Sequence, residues 1–146
     1  MPHKQLLVID DEDDIREVAR LSLELTEGWT VVVANSGAVG TALALSMKPD
    51  AILLDVMMPD MDGPSTLRAL QQQVATKFIP VIFLTAKVQS ADRRKFMELG
   101  VRGIIPKPFD PLTLGKQIRD VLAWAAPGSL PNAKDDTSWI TLSLCE

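Results

Sequence analysis

Three carboxylates stand directly behind short apolar runs: Asp10 and Asp11 follow Leu6-Leu7-Val8-Ile9, and Asp55 follows Ala51-Ile52-Leu53-Leu54. Two further polar side chains are placed the same way, Thr85 after Val81-Ile82-Phe83-Leu84 and Lys107 just beyond Gly103-Ile104-Ile105. If those runs are parallel strands of one sheet, all of these groups meet at its C-terminal mouth. Three converging carboxylates repel one another, and a hard divalent cation relieves that repulsion most directly. Mg2+ suits the set because it takes few carboxylates, accepts a backbone carbonyl such as that of Met57, and keeps waters that a phosphate oxygen can displace. A hydroxyl and an ammonium complete what phosphoryl chemistry needs, and Asp55 can then act as a nucleophile to form an aspartyl phosphate.

The elements that must position these groups are legible as alternating patterns. Strands are predicted at 6–10, 30–34, 51–56, 81–86 and 103–105. Their apolar runs lack polar alternation, which suits strands buried on both faces by covering helices. A first helix puts Ile15, Val18, Ala19, Ser22 and Leu25 on one stripe and stops at Gly28. A second spans about 36–48, capped by Ser36 and stopped by Pro49. The third begins near Pro64, the fourth is capped by Ser90 and ends at Gly100, and the last runs over 112–126 until Pro127-Gly128 breaks it. Asp13 and Asp14 read as N-cap and first-turn acids of the first helix. Strand–helix alternation with right-handed crossovers predicts an α/β doubly wound parallel sheet, a (βα)5 sandwich.

Composition bounds the rest. The chain has 146 residues, 47% of them hydrophobic and 23% charged, with a net charge of -4, as expected of one packed domain. Such a charge gives no basic footprint, so no nucleic-acid partner is expected. No apolar run approaches the roughly 18 residues of a membrane span, so a cytoplasmic protein with no membrane partner is expected. The single cysteine, Cys145, excludes an intrachain disulfide.

Taken together, Leu7-Val8-Ile9-Asp10-Asp11-Glu12, Leu54-Asp55-Val56-Met57-Met58-Pro59-Asp60-Met61-Asp62-Gly63, Phe83-Leu84-Thr85-Ala86 and Ile105-Pro106-Lys107-Pro108-Phe109-Asp110 resemble the receiver domain of two-component response regulators over about residues 4–126. The resemblance implies a flavodoxin-like sheet in the order 2-1-3-4-5, with Asp55 as phosphoacceptor. It implies Mg2+ on Asp10, Asp11, Asp55 and the Met57 carbonyl, Thr85 sensing the phosphoryl group, Lys107 pairing with it, and a cis Lys107–Pro108 bond. The implied donor is a phosphohistidine on a sensor histidine kinase or a histidine phosphotransfer protein. Such a domain catalyses only its own phosphotransfer and autodephosphorylation. Its output is read by a downstream protein on the face built from the fourth helix, fifth strand and fifth helix, residues 88–126, where a homodimer is also compatible with the family.

Some positions depart from the family pattern. An aromatic switch residue usually stands three residues before the lysine, where this chain has Ile104. Met57 and Lys87, each two residues past a site residue, are poor at orienting water, which predicts a long-lived phosphoryl group. Residues 1–126 form the expected receiver and 127–146 a tail of different composition, in which Ile140, Leu142 and Leu144 alternate with polar residues. The stretch 139–144 reads either as a short strand or as a loosely docked end. The chain's extent suggests a single-domain regulator. A receiver fragment of a larger regulator or hybrid kinase, a phosphorylation-independent scaffold, and a Mg2+-dependent phosphatase with an aspartyl nucleophile are the alternative readings.

Overall fold

The computed structural model describes residues 3–86 and 89–126. The expectations placed on Lys87 and on the 127–146 tail, its 139–144 strand included, fall outside the described residues. The elements alternate as β1 (Gln5–Ile9), α1 (Asp13–Glu27), β2 (Thr30–Ala34), α2 (Gly37–Met47), β3 (Ala51–Asp55), α3 (Gly63–Gln71), β4 (Val81–Thr85), α4 (Ser90–Glu98), β5 (Gly103–Pro106) and α5 (Leu114–Leu122). All strand pairings are parallel, in the order β2-β1-β3-β4-β5, so the flavodoxin-like doubly wound arrangement holds.

Alternate residues of each strand feed two apolar layers. Leu7, Ile9, Ile52, Leu54, Phe83 and Ile104 face one way, packing with Ala44 of α2, Leu67 and Leu70 of α3 and Phe96 of α4. Leu6, Val8, Leu53, Ile82, Leu84 and Ile105 face the other way, against Ala19 and Leu23 of α1 and Leu114 and Ile118 of α5. Both faces are dry, which is why the strand sequences show no polar alternation. Each fully buried Leu, Ile or Phe contributes about 1.5–3 kcal/mol of transfer free energy.

Helix ends follow local chemistry. Ser36 Oγ accepts the Val39 N–H at 3.1 Å, and Asp62 Oδ1 caps α3 by accepting the Ser65 N–H at 2.8 Å. Gly28 closes α1 in the left-handed region, φ 72°, its N–H donating to the Glu24 carbonyl. Ser90 is the first residue of α4 and not its cap; Gln89 holds that position without a side-chain bond. At α1 the cap position falls to Glu12, so Asp13 and Asp14 both lie in the first turn.

The larger differences from the sequence expectation lie in α1 and α5. Leu25 is 82% exposed and Val18 40%, because α1 turns Ala19, Ser22 and Leu23 inward. Ser22 Oγ donates to the Pro111 carbonyl, fixing that rotation. The last helix is shorter than 112–126. Asp110 Oδ1 accepts the Leu112 N–H at 2.9 Å in a turn that delays its start. At the far end Ala123 turns left-handed, φ 58°, and the Trp124 ring packs edge-on against Trp29 at 5.4 Å.

Glu27 at the end of α1, its side chain 4% exposed, receives Arg119 Nε of α5 at 2.8 Å. Removing the guanidinium leaves a buried carboxylate uncompensated, which costs about 3 kcal/mol or more. Arg119→Met is therefore expected to lower the urea midpoint by that free energy with an unchanged m-value; an unaltered midpoint would show the pair contributes nothing net.

Candidate functional site

β1 and β3 are neighbours with Ile9 level with Leu54, so the residues that follow, Asp10 and Asp55, emerge side by side. Asp10 is fully buried, Asp55 is 2% exposed and Asp11 is exposed. A carboxylate oxygen from each of the three lies within 4.8 Å of the others. Thr85 ends β4 beside them, buried, and the loop after β5 brings in Lys107, whose bond to Pro108 is cis as expected. The Lys107 Nζ stands 2.9 Å from Asp10 Oδ2, 3.2 Å from Asp55 Oδ1 and 3.3 Å from Glu12 Oε1.

Backbone groups fix the carboxylates. The Glu12 N–H donates to Asp10 Oδ1 at 2.9 Å, and the Met57 N–H donates to Asp55 Oδ1 at 3.3 Å. Arg16 Nη1 donates to the Asp10 carbonyl at 2.8 Å while its other nitrogen pairs with Asp13. This ties the loop after β1 to the first turn of α1.

The electrostatics oppose full ionisation. Burial, then the charge of Asp10, pushes the Asp55 carboxyl up from 3.8 to about 6, against the pull of Lys107 and the Met57 N–H. Burial likewise raises Asp10, against the Glu12 N–H and Lys107. Burial would lower Lys107, but its pairing with Asp10 and Asp55 outweighs this and raises it, so the ammonium stays charged.

The residues fit a hard divalent cation. Asp10 Oδ2 is a buried oxygen that no backbone or hydroxyl group reaches; the Lys107 ammonium, 2.9 Å away and shared with Asp55 and Glu12, is the charge beside it. An oxygen so placed among two more carboxylates wants a cation. The cleft above it, about 350 Å³, is lined by Asp11, Glu12, Asp55, Met57, Ala86 and Lys107.

The sequence-predicted Asp10, Asp11, Asp55, Met57 and Lys107 thus converge at one cleft, with Thr85 at the adjacent strand end. Ile104 is not in the cleft. It is buried under it, level with Phe83, whose ring meets Phe96 edge-on at 5.2 Å. Glu12 was missed as a site residue; its place directly behind Asp11 in the same loop was the available signal.

Comparison with known proteins agrees with this geometry. Residues 6–119 match the family model of the response regulator receiver domain. The chain is 36% identical over 128 residues to the phosphate regulon transcriptional regulatory protein PhoB of Pseudomonas aeruginosa, covering 88% of this chain and 56% of that one. It is 40% identical over 118 residues to the transcriptional regulatory protein CpxR of Escherichia coli, covering 81% and 49%. The chain thus spans about half the length of the curated relatives it matches. Among solved structures, the chemotaxis protein CheY4 of Vibrio cholerae superposes with a TM-score of 0.77 at 31% identity, covering 82% of this chain and 99% of that one. The receiver domain of the sensor histidine kinase PA1611 of Pseudomonas aeruginosa, solved with magnesium coordinated in its active-site cleft, superposes with a TM-score of 0.73 at 25% identity, covering 84% and 99%.

Proposed function

The chain belongs to the response regulator receiver domain family of two-component signalling, and from that premise we propose that Asp55 accepts a phosphoryl group from a phosphohistidine on a sensor histidine kinase or a histidine phosphotransfer protein. The observation that carries this reading is the convergence of Asp10, Asp11, Asp55 and Lys107 on one open cleft. Receiver domains are signalling domains and not enzymes in the ordinary sense; here the chemistry is confined to loading and unloading Asp55.

Each side chain has a role that its position supports. An Asp55 carboxylate oxygen attacks phosphorus while the bond to the donor nitrogen breaks. Lys107, already 3.2 Å from Asp55 Oδ1, follows the charge as it moves onto the transferred oxygens. Thr85 offers its hydroxyl from the next strand end. Asp10, Asp11, Asp55 and the Met57 carbonyl would hold Mg2+, whose charge would offset that of the transferred group. Burial of Asp10 and Asp55 keeps their contacts with Lys107 strong, since little water screens them.

The signal leaves through the face of α4, β5 and α5. Phe83 and Ile104 are level in adjacent strands of one apolar layer, two residues back from Thr85 and Pro106, which are themselves level. Movement of Thr85 toward a phosphoryl group therefore bears on Ile104, an aliphatic counterpart of the usual aromatic switch. Arg93, Arg94 and Lys95 are exposed on α4 and suit a downstream protein with an acidic patch. A homodimer through this face is a second way of reading it out.

Intact-mass measurement after incubation with acetyl phosphate tests the reading. One phosphoryl adduct is expected with Mg2+ and none after chelation. A mass unchanged under both conditions would favour a scaffold that keeps the fold without the switch. The adduct is expected to persist for minutes, because exposed Met57 offers no group that orients an attacking water.

A further inference from the structure

Glu12 stands outside the carboxylate trio but lines the same cleft, with its Oε1 3.3 Å from Lys107 Nζ. Its backbone is pinned by the bond from its N–H to Asp10 Oδ1 at 2.9 Å, while its side chain is 60% exposed at the rim. Lys107 is thus shared between carboxylates of two kinds. Asp10 and Asp55, at 2.9 and 3.2 Å, belong to the buried floor, and Glu12 draws the ammonium outward.

Resting on the reading of Asp55 as phosphoacceptor, we propose that Glu12 is a positioning residue that holds Lys107 at the mouth of the cleft and sets the charge met by an incoming phosphodonor, so that the cleft selects donors by charge. The ammonium reaches incoming phosphoryl oxygens by loosening its contact with Glu12. The freed carboxylate then faces those oxygens across the rim. Repulsion by the freed carboxylate penalises a donor in proportion to its negative charge. A small dianion such as acetyl phosphate suffers most. A phosphoryl group on nitrogen, as in phosphoramidate, a net monoanion at neutral pH, suffers less. The chemistry is otherwise the same: the Asp55 Oδ–P bond forms as the bond to the leaving group breaks. Acetate departs with the electron pair of the P–O bond, and the already protonated amine departs as ammonia with that of the P–N bond. The rim of this receiver therefore favours nitrogen-linked donors over acyl phosphates.

The test measures adduct formation with acetyl phosphate and with phosphoramidate at saturating Mg2+, at low and at high salt, for the wild-type protein, Glu12→Gln and Glu12→Asp. An exposed charge a few ångströms away is expected to change the dianion's rate by roughly three- to tenfold. Glu12→Gln should therefore speed acetyl phosphate by that factor and phosphoramidate, with half the net charge, by about its square root, roughly two- to threefold. Glu12→Asp, which keeps the charge, should retain the wild-type ratio of the two rates. In the wild-type protein itself that ratio should rise toward the Glu12→Gln value near 1 M salt, where the screening length is about 3 Å. Equal acceleration of both donors, or a ratio that neither the variant nor salt moves, overturns the role of Glu12 and leaves Asp55 untouched. No adduct from either donor in the wild-type protein overturns the Asp55 reading, and this proposal with it.

Discussion

Asp55→Asn is expected to lose the phosphoryl adduct completely and, at neutral pH without metal, to be more stable than the wild-type protein by about 2–3 kcal/mol. The loss follows because an amide is not a nucleophile at phosphorus, and no other carboxylate at the cleft is held by both Lys107 and the Met57 N–H. The gain follows from the site's electrostatics. The Asp55 carboxyl is raised from 3.8 to about 6, by burial first and by the charge of Asp10 second. Between those two pH values the folded chain holds a proton that the unfolded chain has released, so stability falls as pH rises through the window. Above about 6 the deficit is fully present, and at about 1.4 kcal/mol per pH unit it amounts to the figure given. An uncharged amide of the same shape removes it. Thermal melts in metal-free buffer should place the variant roughly 5–10 °C above the wild-type protein at pH 7.5, at about 2–4 °C per kcal/mol for a chain of this size. The two melts should converge near pH 4. Melts that coincide at pH 7.5 would mean that Lys107 already compensates the ionised carboxylate in full. Asp55 is in this sense a strained residue, held charged above about pH 6 against its surroundings.

Why this site could be read from the chain is a matter of where information resides. A strand buried on both faces must be apolar along its whole length, so the first acid after it marks the strand's end within a residue. That rule located Asp10 after β1 and Asp55 at the end of β3, and the hydroxyl of Thr85 followed in the same way. Parallel pairing then forces the ends together. The details that escaped depend on rotation and on side-chain reach, which periodicity does not encode. Leu25 shares a helical stripe with Ile15 and Ser22 in sequence, yet the bond from Ser22 to the Pro111 carbonyl turns α1 so that Leu25 faces out. The end of α5 is set by Trp124 packing on Trp29, a contact between residues 95 positions apart in the chain. Glu12 looked like one more acid in an acidic run. Its distinction from Asp13 is that its backbone N–H is bound to Asp10, which aims its side chain along the rim toward Lys107.

Gly63→Ala is expected to damage the site more than its size suggests. Gly63 opens α3 directly behind β3, and its N–H donates to the Val56 carbonyl at 2.9 Å. A Cβ there would stand 2.7 Å from both the Asp55 carbonyl oxygen and the Val56 Cα. Both are backbone atoms, and Val56 is itself held by its N–H to the Leu84 carbonyl at 3.2 Å, so no flexible side chain can yield. Either the first turn of α3 is pushed outward, breaking the Gly63–Val56 bond, or the end of β3 shifts and carries Asp55 with it. Overpacking of this kind costs about 3 kcal/mol. A carboxylate displaced by a fraction of an ångström to 1 Å loses its alignment with the phosphoryl group, so the rate of adduct formation should fall about ten- to hundredfold. Gly28→Ala separates the two effects. Gly28 sits in the left-handed region at φ 72° with nothing within 4 Å of an added Cβ, so the substitution costs roughly 1 kcal/mol of backbone strain far from the cleft. Its rate of adduct formation should match the wild-type protein once corrected for the folded fraction. If Gly63→Ala, corrected in the same way, also matches, then the start of α3 can move without disturbing Asp55, and the position of that carboxylate is set by β3 and its sheet neighbours alone.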